Sequence, residues 1–225
     1  MPNSNQKIFP LGDAALTVEF GNAISVELNR KAIALSEYFE SNPFLGFIES
    51  VPAYASTTVF YDLATVKREY ASAFDGVRGL VLTALQYLDI SQTKTERRIE
   101  IPVHFDAASA LDLAHVAEVN GLTTADVIDI FTSREYRVFM LGFLPGFSYM
   151  GEVDERIATP RKQTPRTHVP QGGVGIAGRQ TGIYSLASPG GWQIIGRTDL
   201  ELFTPLNDEP SLLRAGDIVS FVAAE

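Results

Sequence analysis

Eleven of the chain's 18 glycines fall between Gly142 and Gly196. Glycine at that density permits tight turns and close backbone approach. Between the glycines and prolines lie short β-prone runs at 175–177, 182–186 and 192–195, with another at 217–222. Many short strands joined by Gly-rich turns argue a closed or sandwiched β-structure. Residues 99–105 and 136–143 read as earlier strands of the same half. Two helices separate them. One covers 110–119 and ends at Asn120-Gly121, a good C-cap pair. The other starts at Thr123, which with Asp126 resembles a capping box, and runs to about Phe131.

The first part of the chain follows a different rule. Strands are expected at 7–11 and 15–20, around a Gly12-Asp13 turn, and at 47–52 and 57–61. Ile24, Leu28, Ala32, Leu35 and Phe39 recur at helical spacing, which makes 24–40 an amphipathic helix. Val77, Val81, Ala84, Leu85 and Leu88 give the second stripe. The order ββαββα is satisfied by one small sheet with both helices on one face. A polar, charged stretch at 91–98 is the expected boundary, giving domains 1–95 and 96–225.

Composition excludes several classes. With 45% hydrophobic residues, 14 Phe and 8 Tyr, the chain can build a packed core and is not a disordered protein. It has no cysteine, so disulfides, thiolate catalysis and Cys-ligated metals are excluded, and its three histidines lack metal-ligand spacing. No metal is expected. Residues 1–7 carry no apolar h-region, and no apolar run reaches the roughly 18 residues that span a membrane. The expected location is the cytoplasm. The net charge of −9 disfavours nucleic acid and anionic membranes as partners.

The charge distribution is more informative than its sum. From Ile157 to Thr198 there is no Asp or Glu, yet the window holds Arg161, Lys162, Arg166, Arg179, Arg197 and His168. This is either a basic surface patch or a site for a carboxylate or phosphate, which the planar guanidinium fork suits. Within it, Pro160, Pro165 and Pro170 recur every five residues, and Arg161 and Arg166 each follow a proline. Such a segment is an edge loop or a rigid, extended anion clamp. Gly173-Val174-Gly175-Ile176-Ala177-Gly178 fits a dinucleotide fingerprint in letters, but the residues after it are poor helix formers. The loop can still present backbone N–H groups to an anion. Gly146-Phe147-Ser148-Tyr149-Met150-Gly151 is one residue too long for a nucleophile elbow, and no phosphate loop of the G-x-x-x-x-G-K-[ST] type is present. Trp192, the only tryptophan, is a core anchor or a pocket wall.

Several of these runs occur together, in fixed order, in a known family. The run 136–147, the two Thr-Pro-Arg elements at 159–161 and 164–166, Val174 to Tyr184, and Ser188-Pro189-Gly190-Gly191-Trp192 through Gly196-Arg197-Thr198 resemble the KipI family. That family includes the B subunit of 5-oxoprolinase and the allophanate hydrolase subunit 1 domain. The chain departs from the family pattern at His104, Phe131, Ser148 and Thr204.

The resemblance implies an α+β protein: a ββαββα N-terminal α/β sandwich followed by a cyclophilin-like β-barrel. It implies two partners, a KipA-like C subunit (allophanate hydrolase subunit 2-like) and a LamB/YcsF-like A subunit. Together such complexes open the lactam of 5-oxo-L-proline to L-glutamate using ATP, which this chain would meet only through the complex. The alternative is a KipI-type regulator that binds and inhibits a sensor histidine kinase. For the enzyme, cations are needed where charge develops on the amide and phosphoryl groups. Arg161, Arg166 and Arg197 are the expected catalytic groups. Phe147, Arg179, Gln180, Thr181, Trp192 and Thr198 are the expected substrate-binding groups, with Phe147 and Trp192 as walls. The expectation depends on guanidiniums left unneutralised by carboxylates and converging on one concave face. No general base is evident, which points to a partner chain as its source.

Overall fold

The computed structural model describes residues 6–88 and 96–224. The chain divides into two compact units, Met1–Thr95 and Glu96–Glu225. Most of the 91–98 stretch expected as a boundary lies outside the described residues.

The first unit is a four-stranded antiparallel sheet in the order β1-β2-β4-β3. Its strands are β1 (Lys7–Pro10), β2 (Ala15–Glu19), β3 (Phe47–Pro52) and β4 (Ser56–Tyr61). Helix α1 (Val26–Ser41) lies between β2 and β3. Two helices follow β4, where the sequence pattern predicts one: α2 (Leu63–Glu69) and α3 (Ala73–Tyr87). The break between them is local. Asp62 caps α2 by accepting from Thr65 N, and Ser72 caps α3 by accepting from Asp75 N. Period-2 alternation along β2 and β4 brings Leu16, Val18, Val59 and Tyr61 to one face. There they pack with Ala32, Leu35 and Phe39 of α1 and Val77, Val81 and Ala84 of α3.

The second unit is the expected β-barrel. Its strands are β5 (Arg98–Val103), β6 (Glu135–Leu141), β7 (Ser148–Gly151), β8 (Arg166–Val169), β9 (Gly173–Ala177), β10 (Gln180–Ile183), β11 (Ser188–Gly190), β12 (Gln193–Arg197) and β13 (Ile218–Ala223). Seven form one sheet, β12-β9-β10-β7-β6-β13-β5, in which β13 and β5 are parallel. His104, just after β5, bridges Arg197 at the end of β12 with two backbone hydrogen bonds of 2.7 and 3.0 Å. That bridge joins the two edge strands and nearly closes the barrel, which removes exposed edges. Helices α4 (Leu113–Asn120) and α5 (Thr124–Thr132) pack into the same core. Gly121 ends α4 in the left-handed region at φ 67°, and Thr123 and Asp126 form a reciprocal capping box on α5. Phe131 is fully buried and stacks on Phe221 at 4.8 Å, so this departure from the family pattern serves packing.

Alternation along β12 places neighbours in different cores. Ile195 belongs to the main core with Ile176, Val174 and Ile183. Trp192 and Ile194 belong to a second core with Phe147, Val169, Ala177 and Tyr184. Glycines make room for it. A Cβ on Gly182 would stand 3.0 Å from Phe147 Cζ and 3.1 Å from Trp192 Cζ3. The two-stranded β11-β8 ribbon contributes Val169 to this second core.

Candidate anion site

The proline-rich loop ahead of β8 is fastened to the β9–β10 turn and to the start of β12. Thr159 bridges Gly178, the Gln193 amide donates to Pro160 O at 2.9 Å, and Lys162 N donates to Gly191 O at 2.7 Å. Prolines at 160 and 165 restrict what remains, so the loop's cations are held in place. Arg161 lies over the Trp192 ring, with Cζ 5.7 Å from its centroid. This is cation–π distance.

Lys162 and Arg166 meet at Asp112, the residue just ahead of α4. Asp112 N donates to Ile194 O, and Ile194 N donates back to Asp112 Oδ2 at 2.8 Å. The carboxylate is therefore locked to β12. It accepts two bonds from the Arg166 fork, at 2.6 and 2.8 Å, and one from Lys162 Nζ at 2.9 Å. Asp112 is buried, at 4% exposure. Burial opposes its charge, but Arg166, Lys162 and the Ile194 N–H outweigh that cost and hold its carboxyl below the usual range.

Beside the cations is an aromatic cluster. Phe147 meets Trp192, Tyr184 and Tyr149 edge-to-face at 4.8 to 5.5 Å. Phe143 is 62% exposed and sits above Phe147 and Tyr184. It adopts a left-handed φ of 69°, a conformation that costs a non-glycine residue free energy. Burial raises the Tyr184 pKa, while its hydrogen bond with the Trp192 backbone and the positive charges of Arg161 and Arg166 pull it the other way.

The expectation of unneutralised, convergent arginines needs correction. Arg166 is bound to Asp112, Arg179 to Glu152 and Glu155, and Arg197 to Asp199. All four carboxylates lie outside the 157–198 window. A window free of acids in sequence is not free of them in space. Arg161 alone of the four lacks a carboxylate partner among the described residues. Convergence holds only for Arg161 and Arg166. Arg197 pairs with Gly173 at one end of β9, and Arg179 follows the other end.

The other expected groups are also placed. Thr181 is buried, and its hydroxyl donates to Gly175 O at 2.9 Å. Thr198 is buried, and its hydroxyl accepts from Leu200 N. Gln180 is half-buried at the start of β10, next to Arg179. Phe147 and Trp192 are 1% and 5% exposed, so they floor the site more than they wall it. Sequence reasoning missed Asp112, Tyr184 and Phe143 as site residues and counted Lys162 only among the cations. Lys162 stood inside the cationic window, whereas Asp112 lies 54 residues from Arg166 and gave no signal. No group of three or more His, Asp or Glu side chains among the described residues could hold a metal ion. No helix there is long and apolar enough to cross a membrane.

Fold and site together define an α+β protein with a barrel unit carrying a cationic, aromatic-floored surface. The chain belongs to the family described as carboxyltransferase domain, subdomain C and D, whose model matches residues 6–213. It is 46% identical to the B subunit of 5-oxoprolinase from Bacillus subtilis (strain 168), over 96% of this chain and 92% of that protein. Identity to the corresponding B subunit from Escherichia coli O157:H7 is 38%, over 96% and 95%. Among solved structures, TTHA0988 superposes with a TM-score of 0.82 at 38% identity, covering 94% of this chain. The chain spans 40% of the length of that protein.

Proposed function

We propose that this chain is the B component of an ATP-dependent 5-oxoprolinase, acting with its A and C components to open 5-oxo-L-proline to L-glutamate in the cytoplasm. The observation that carries the reading is near full-length similarity, at 46% identity over 96% of the chain, to a protein of that name. A chain that works as one component of several fits a site with cations but no evident base. ATP would be met through the complex, and this chain has no phosphate loop of the usual kind with which to hold it. Lactam opening coupled to ATP needs positive charge at the activated amide oxygen. Arg166 is assigned that role, while Arg161 and Lys162 hold the substrate's own negative charge, over the floor made by Phe147 and Trp192. Arg179 and Arg197, paired with carboxylates at opposite ends of β9, and Thr181 and Thr198, bonded to backbone, are not assigned to the site, and neither is Gln180 beside Arg179.

The test is co-expression with the A and C components of the same genome and an assay for ATP-dependent glutamate release. Release that needs all three chains, and that falls when Arg161 and Arg166 are both changed to Ala, supports the reading. No release from a purified three-chain complex refutes it. Tight binding of a sensor histidine kinase, with no C component recovered, would favour the regulatory alternative.

A further inference from the structure

The Asp112 carboxylate is saturated. Oδ1 accepts from Arg166 and Lys162, and Oδ2 accepts from Arg166 and Ile194 N. Each oxygen thus carries two donors, its full capacity. The donors are in excess. Lys162 has three N–H bonds and commits one of them here. Arg161 has five, and none meets an acceptor among the described residues. Lys162 and Arg166 share one carboxylate with side chains only 27% and 24% exposed, and the neighbouring, exposed Arg161 has no carboxylate among the described residues. Positive charge partly withdrawn from water and left over after internal pairing favours a second anion.

We propose that Lys162 and Arg161 bind the carboxylate of a small planar amide, and that Asp112 is a built-in counter-ion. Asp112 fixes Arg166 through its fork and keeps Lys162 close by until the ligand carboxylate arrives. The exposed ring of Phe143 and the half-buried ring of Tyr149 offer the flat part of such a ligand a surface, with Trp192 packed beneath them. The amide's identity rests on the 5-oxoprolinase reading, whereas the charge argument does not. Asp112 is a positioning residue, since it touches the cations and not the ligand.

Trp192 is the only tryptophan and already carries Arg161 on its ring, so its fluorescence reports on the site. The full chain is titrated at constant ionic strength with L-5-oxoproline and with 2-pyrrolidinone, which lacks the carboxylate. A saturable response to the first and none to the second is expected. Lys162→Gln should raise Kd about tenfold or more, the loss expected when one charge-assisted hydrogen bond is removed. Arg161→Gln, followed by calorimetry because it alters the probe, should do the same. Asp112→Asn deletes the competing internal anion and should lower Kd severalfold, a sign that a merely structural role would not give. No response to L-5-oxoproline, equal response to both compounds, or an unchanged Kd in Lys162→Gln would overturn the proposal. Should Asp112→Asn fail to fold, the Lys162 and Arg161 variants decide. Lys162-dependent binding without glutamate release by the complex would sink the enzyme reading and leave this site standing.

Discussion

The two units bury different chemistry. The first has only neutral polar groups in its interior among the described residues: Thr17, Asn29, Ser36 and Thr57. Their hydrogen bonds stitch sheet to helix, as when Thr57 Oγ1 donates to Ala32 O and Asn29 Nδ2 to Ala53 O. The barrel unit buries the charged side chains of Asp112, Arg137 and Asp217. A buried charge is costly unless paired, and replacing such a pair by apolar groups is often neutral or stabilising. Stability alone therefore does not explain the barrel's charges. Arg97 with Asp217 ties the start of β5 to the turn before β13, which is a fold role. Asp112 instead gathers cations from the loop that carries Arg161.

The sharpest way to break the contrast is through backbone approach. Gly172 has φ 80°, and a Cβ there would lie 1.9 Å from Thr198 O. Both the left-handed backbone and the collision oppose any side chain. Gly172→Ala should prevent the barrel from folding, seen as loss of the Trp192 emission of the native state and insoluble expression. A soluble protein with native emission would show that the barrel's glycine dependence is overstated.

The next effect is at the buried acid. Asp112→Ala strands Arg166 and Lys162 beside an apolar core, and breaking a buried pair by removing one partner costs about 3–5 kcal/mol. Arg179→Ala removes two exposed ion pairs, each worth only about 0–1 kcal/mol. Urea unfolding of the two variants checks the difference in size. pH gives an independent handle. The Asp112 carboxyl is depressed in the folded chain, so its contribution is present above the unfolded value of about 3.9 and is lost as pH falls through the lower folded value. The gap in stability between wild type and Asp112→Asn should narrow below about pH 4. A gap that stays constant down to pH 2 would deny the carboxylate this role.

The contrast also explains what could be read in advance. Helix α1 and the α3 stripe follow from apolar spacing, and the expected 24–40 helix differs from Val26–Ser41 only at its ends. The capping box at Thr123 and the stop at Gly121 are local signals and hold. Three short strands went unread: β7, β8 and β11, of three or four residues each. Pairing across the sheet creates them, and their own residues carry little preference. The anion site was half legible for the same reason. Its cations share a loop and show in sequence, whereas the carboxylate that organises two of them arrives through the fold.

The smallest effect belongs to the first unit and has the opposite sign. Gly79 lies in the interior of α3, is exposed, and a Cβ there would meet nothing within 4 Å. Alanine restricts the unfolded chain and propagates the helix better, a gain of about 0.5–1 kcal/mol. Gly76, three residues earlier, is no substitute, because a Cβ there would stand 2.3 Å from the Tyr70 ring. Gly79→Ala should therefore slow amide exchange across α3 by about two- to fivefold while the barrel strands exchange as before. Equal slowing in β9 and β12 would mean that the units open together. A helix that exchanges faster would mean that Gly79 was placed for a reason other than tolerance. Either result would move the line between a unit built on periodicity and one built on close approach.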